Sequence, residues 1–141
     1  MDSGAKRQFG QLLILTTIHG SVDMLGGMLP ALLPVIRQRF TLTLTAAIGV
    51  LSVLNIFSNA IQIATGHLRA KSDRPLFIPL GALVALLVTT IGFLPTGGAG
   101  HVLLYLVVAL TGCGIAVVHP EGLRAVHALD RLPAATSTAI F

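Results

Sequence analysis

The chain has 141 residues, of which 54% are apolar and only 10% charged, with a formal net charge of +4. A soluble domain carries about 25% charged residues and leaves about a third of its chain surface in water at this size, so the composition excludes a compact water-soluble domain. The nine Lys and Arg fall in short clusters between long uncharged runs, with one Tyr and six Phe, which excludes a basic, aromatic-lined nucleic-acid face.

In chain order, Lys6 and Arg7 lead into an apolar run, as in a signal peptide. No small-x-small cleavage site follows, and the run continues past the usual length. It is read as a retained first span at about residues 9–36, after a cytoplasmic segment 1–8. Its only charge is Asp23. Gly20, Gly26, Gly27, Pro30 and Pro34 predict a kinked or tilted helix. The second span, about 43–68, carries no charge; a basic loop, Arg69 to Pro75, follows it. The third runs over about 76–95 and ends in the turn-forming string Pro95-Thr96-Gly97-Gly98. The fourth covers about 101–120, and residues 133–141 read as the start of a fifth. Uncharged stretches of this length suit a hydrocarbon core of about 30 Å. They lack the period-two alternation of barrel strands. The expected fold class is therefore all-α and transmembrane.

Loop charges set the orientation. With the N-terminus in the cytoplasm, Lys6, Arg7, Arg69, Lys71, Arg74, Arg124 and Arg131 lie inside, against Arg37 and Arg39 outside. This positive-inside bias predicts a cytoplasmic N-terminus, and the expected location is the cell (inner) membrane, as a multi-pass protein. The single Cys113 forms no intramolecular disulfide and sits in an apolar run, as a packing residue does.

Ionisable groups in lipid cost at least about 2.5–3.5 kcal/mol and usually face a bundle interior or a wet cavity. His19 and Asp23 are four residues apart and share a helix face. They suit a proton relay or substrate contact, or else a helix break near Gly20 that opens both to water. Ser52, Asn55, Asn59 and Gln62 form a stripe on one side of the second span. It either lines a translocation path or bonds neighbouring helices. At the inner end of the fourth span, Pro120 is placed to start a new helical turn with Glu121 near its N-terminus. Alternatively, His119 and Glu121 are a cavity-facing base and acid. Gly112 and Gly114 are read as close-packing positions.

Several strings resemble fosmidomycin-resistance-like transporters of the major facilitator superfamily. They are His19-Gly20-Ser21-Val22-Asp23, Met28-Leu29-Pro30-Ala31-Leu32-Leu33-Pro34, Pro79-Leu80-Gly81, and Gly112-Cys113-Gly114 through His119-Pro120-Glu121-Gly122. The resemblance runs from about Ile18 to Arg124. The superfamily's loop signature Gly-x-x-x-Asp-Arg/Lys is met by Gly66 and Lys71, but its acid falls on Ala70, with Asp73-Arg74 three residues further on. In the family that acid is thought to lock the two halves of the fold by charge pairing. The resemblance implies a twelve-helix carrier of two six-helix halves with inverted repeats, of which this chain supplies the first four helices and the start of a fifth. It also implies proton-coupled export of small molecules or drugs. The pathway residues would be His19, Asp23, Asn55, Asn59, Gln62, His119 and Glu121. The expected partners are the bilayer, a small-molecule substrate, protons, and the remainder of the carrier or a partner membrane subunit. No cofactor, no metal and no enzymatic activity are expected.

Two other readings compete. In one, the chain is a non-transporting membrane subunit or remnant that binds a partner through its helix faces. In the other, His19, Asp23, His119 and Glu121 hold zinc in an intramembrane enzyme. The second lacks a tight ligand motif, and it sets the two pairs of residues at different membrane depths.

Overall fold

A computed structural model describes residues 2–69 and 77–141. Helix α1 spans Ser3–Arg39, α2 Leu44–Leu68, α3 Phe77–Ala85, α4 Gly98–His127 and α5 Ala134–Ile140. A 3₁₀ segment, Leu86–Phe93, continues α3. Among the described residues there is no strand.

Local chemistry accounts for the helix ends. The carboxylate of Asp2 accepts from the Ala5 N–H at 2.6 Å, and the Thr43 hydroxyl accepts from Ala46 at 3.2 Å. Each satisfies one of the orphan donors of a first turn. Arg37 and Arg39 lie in the last turn of α1, where the helix dipole favours cations. Gly97, at φ 90°, reverses the chain before α4.

Helices α1, α2 and α4 are long and apolar enough to cross a membrane, whereas Phe77–Phe93 is shorter. Its geometry offsets its length. Nine α-helical residues rise about 1.5 Å each and eight 3₁₀ residues about 2.0 Å each. The segment therefore extends about 30 Å, the thickness of a hydrocarbon core.

Helix α4 is central and packs against α1, α2, α3 and α5. Its small residues allow this. A Cβ on Gly112 would lie 2.7 Å from the Leu54 carbonyl oxygen of α2, and one on Gly114 would lie 2.6 Å from the Gly81 oxygen of α3. Both glycines thus hold backbone against backbone, as small residues do between membrane helices. Val22, Leu29, Val50, Leu104, Val108 and Val118 fill the remaining core. Large apolar side chains also stand exposed, among them Phe93 at 88% and Ile63 at 75%. Water would penalise these surfaces at roughly 25 cal/mol per Å², and hydrocarbon does not.

The loops sort to two ends. Arg39 donates to the Leu94 oxygen at 2.9 Å, and His101 Nε2 meets the Phe40 oxygen at 2.7 Å. At the opposite end Gln8 donates to Asp130 at 2.6 Å, and Arg131 pairs with Asp2 at 3.0 Å. Residues 3–8, read from the sequence as a segment before the first span, are the opening turns of α1.

Two local alternatives, a helix break near Gly20 and a new helical turn at Pro120, need correction. Helix α1 is unbroken through Gly20, and Pro30 and Pro34 lie inside it. A proline removes one donor and a glycine costs about 1 kcal/mol, and neither ends a helix whose apolar face is buried at Val22, Leu25 and Leu29. Likewise α4 runs through Pro120 to His127. Pro120 begins no new turn, and Glu121 stands at no helix N-terminus.

Candidate functional site

Asp23 lies between two imidazoles. His19, one turn earlier on α1, places Nε2 3.4 Å from Asp23 Oδ2. His119 of α4 places Nε2 3.1 Å from Asp23 Oδ1. The two rings meet edge to face, with centroids 4.9 Å apart. The expectation that His19 and Asp23 lie at a different depth from His119 is therefore corrected. Spacing within a helix fixes which residues share a face. The axial offset between α1 and α4 is set by tertiary packing, where Gly26 admits Ile115 of α4 to 3.1 Å of a virtual Cβ.

The hydrogen bonds assign the tautomers. His19 Nδ1 contacts the Phe141 main-chain oxygen at 2.7 Å, and His119 Nδ1 contacts the Ile115 carbonyl at 2.9 Å. Such oxygens only accept, so both Nδ1 atoms carry hydrogen. In neutral rings each Nε2 is then a lone pair directed at a carboxylate lone pair. That contact is unfavourable until positive charge enters it, as protons on the rings or the carboxylate, or as a cation. Phe141 also stacks on His19 at 4.3 Å, with planes 12° apart. It orients the ring, and nothing in its sequence position pointed to that role.

The polar stripe of α2 faces the same region. Asp23, Asn55 and Ser58 line a cavity of about 260 Å³. His19, His119, Asn59, Gln62 and Phe141 line another of about 510 Å³. Asp23 therefore opens onto one cavity and the imidazoles onto the other. Asn59 donates to the Asn55 carbonyl and Ser52 to the Ile48 carbonyl, both of α2 itself. Among the described residues, no hydrogen bond ties Ser52, Asn55, Asn59 or Gln62 to another helix. Ser58 was not singled out from the sequence, although its offset of three from Asn55 puts it on the same face.

Glu121 belongs elsewhere, and both its grouping with His119 at an inner mouth and its place in a four-ligand zinc set are corrected. Two residues on an α-helix are about 200° apart around the axis, so the side chains of His119 and Glu121 leave α4 on opposite sides. Glu121 is fully buried. Its Oε1 takes Arg69 Nε at 3.0 Å and also Arg124 Nη2. Arg124 Nη1 donates to the Arg69 carbonyl, and Arg69 lies 4.8 Å over the Phe77 ring. Glu121 Oε2 has no hydrogen-bond partner among the described residues. This cluster ties the end of α2 to α4.

Of the loop signature, Gly66 lies on α2, where a Cβ would touch Pro120 of α4 at 3.9 Å. Ala70, Lys71, Asp73 and Arg74 lie outside the described residues. Cys113 is half-buried on α4.

The chain is 28% identical over 117 residues to an uncharacterized MFS-type transporter, YfnC, of Bacillus subtilis (strain 168), covering 82% of this chain and 28% of that protein. It is 29% identical over 120 residues to the fosmidomycin resistance protein of Escherichia coli (strain K12), covering 85% of this chain and 29% of that protein. The chain thus spans under a third of the length of the curated relatives it matches. No family profile and no solved structure matches it. The likeness to fosmidomycin-resistance-like major facilitator transporters holds, and the chain is a helical, multi-pass membrane protein.

Proposed function

We infer that this chain, similar over most of its length to major-facilitator-type transporters, is the helical front part of a secondary active carrier that exports small molecules in exchange for protons. The observation that carries the reading is the arrangement of His19, Asp23 and His119. Two imidazoles with their Nδ1 atoms engaged direct lone pairs at one carboxylate, beside cavities walled by Asn55, Asn59 and Gln62. Such a group changes its preferred partners when it gains or loses a proton. That supplies the differential interaction that coupling requires. Rocking of helix bundles about a midplane site would expose the trio to each side in turn. In this reading the protein is a carrier rather than an enzyme, and the end bearing Arg69, Arg124 and Arg131 faces the cytoplasm of the cell membrane. The exposed amides of α2 await further helices, from the rest of the carrier or from a partner subunit.

The reading is tested in inverted membrane vesicles containing the full-length protein, with a pH-sensitive dye reporting an imposed proton gradient. Fosmidomycin, the compound in the E. coli relative's name, is the first probe, followed by a panel of small antibiotics. A transported compound is expected to release protons from the vesicle lumen in proportion to its own uptake. Compound flux with no accompanying proton movement would refute the coupling.

A further inference from the structure

The residues that meet at Asp23 have the chemistry of a transition-metal site. His19, Asp23 and His119 each offer one ligand atom, and these atoms lie within 4.8 Å of one another. The two imidazole–carboxylate separations are 3.4 and 3.1 Å. A tetrahedral ion with bonds of about 2.0–2.2 Å holds neighbouring donors about 3.3–3.6 Å apart; the two separations, one to each oxygen of the carboxylate, fall near that edge, and donors up to 4.8 Å apart draw together when the ion binds.

The surroundings agree. Each imidazole donates Nδ1–H to a main-chain oxygen. This outer contact fixes the tautomer of a ligating histidine and raises the basicity of the ligating nitrogen. A cation between Nε2 and the carboxylate removes the lone-pair conflict. The side chains of His19, His119 and Asp23 are 20%, 28% and 50% exposed, so an ion can reach them. The cavity of about 510 Å³ on the imidazole side leaves room for a fourth, exchangeable ligand. Two nitrogens and one carboxylate suit zinc, cobalt or nickel. Magnesium and calcium require oxygen ligands almost throughout.

We propose that His19, Asp23 and His119 bind one divalent transition-metal ion, with an open coordination position toward the cavity beside α2. Glu121 takes no part, because its carboxylate is held by Arg69 and Arg124. The ion occupies the place assigned above to protons, and the two compete for the same lone pairs. Binding nevertheless requires neither a particular cargo nor any transport.

The test is titration of the metal-free, full-length protein, purified in detergent, with cobalt(II) chloride. Visible ligand-field bands of tetrahedral cobalt should appear, saturate at one ion per chain, and vanish when zinc chloride is added. His19→Gln and His119→Gln should each weaken cobalt binding at least tenfold, whereas His101→Gln, at the opposite end of the bundle, should leave it unchanged. A spectrum that stays that of aqueous cobalt, or equal affinity in the His19→Gln/His119→Gln double variant, overturns the proposal. X-ray absorption of the zinc-loaded wild-type protein provides a reading that needs no variant. Two imidazole ligands are expected, and their absence overturns the proposal equally. All these readouts use the purified protein, so their failure leaves the vesicle test of coupling untouched.

Discussion

Asp23→Asn is expected to lower compound-linked proton movement by about 10²-fold or more, the scale on which a positioned proton-transferring side chain acts, while folded protein is recovered in normal yield. In the native chain the carboxylate meets two imidazole Nε2 atoms that bear no hydrogen in their neutral form. An asparagine amide has nearly the same shape and carries two N–H donors. Directed at either Nε2, it makes a good hydrogen bond with no added proton. The variant therefore holds the α1–α4 contact together but has lost the group that takes up charge. Proton movement in the inverted vesicles, normalised to protein amount, checks this. Wild-type coupling in Asp23→Asn would remove Asp23 from the mechanism.

Glu121→Gln is expected to produce the largest loss of stability, about 3 kcal/mol, with little change in the cavity beside Asp23. Removing one partner of a buried ion pair costs about 3–5 kcal/mol. Here one carboxylate serves two guanidiniums. The lower part of that range applies because Arg69 and Arg124 are 19% and 27% exposed and retain some solvation. Thermal unfolding in detergent reads the effect as a clear fall in Tm. A Glu121→Gln protein that melts with the wild type would show that the cluster does not hold α2 to α4.

How far the sequence reveals this arrangement depends on whether the physics is local. Long uncharged runs reveal the number and type of the helices, because bilayer thickness and hydropathy act along the chain. Pro95–Gly97 mark a helix limit for an equally local reason. The pairing of His19 with Asp23 is legible from a spacing of four. The stripe from Asn55 to Gln62 is legible from spacings of three and four. Helix α1 continues beyond its glycines and prolines because tertiary packing overrides intrinsic propensity. The arrival of His119 at Asp23, and the departure of Glu121 toward Arg69 and Arg124, depend on the axial and rotational setting of α4 against its neighbours. Gly112, Gly114 and Gly81 allow that close setting, yet no spacing within one helix encodes it. The same holds for Phe141, which meets His19 only through the packing of α5 and α4.

The central claim is that α1 and α4 meet with Asp23 and His119 in contact. Cross-linking tests it most directly, in a Cys113→Ala background with cysteine placed at paired positions and mercuric ion as the bridge. Asp23→Cys with His119→Cys is expected to link within the chain in native membranes. Asp23→Cys with Val117→Cys is expected not to link, because Val117 lies against Gly81 of α3. Linking through position 117, with none through position 119, would contradict the account.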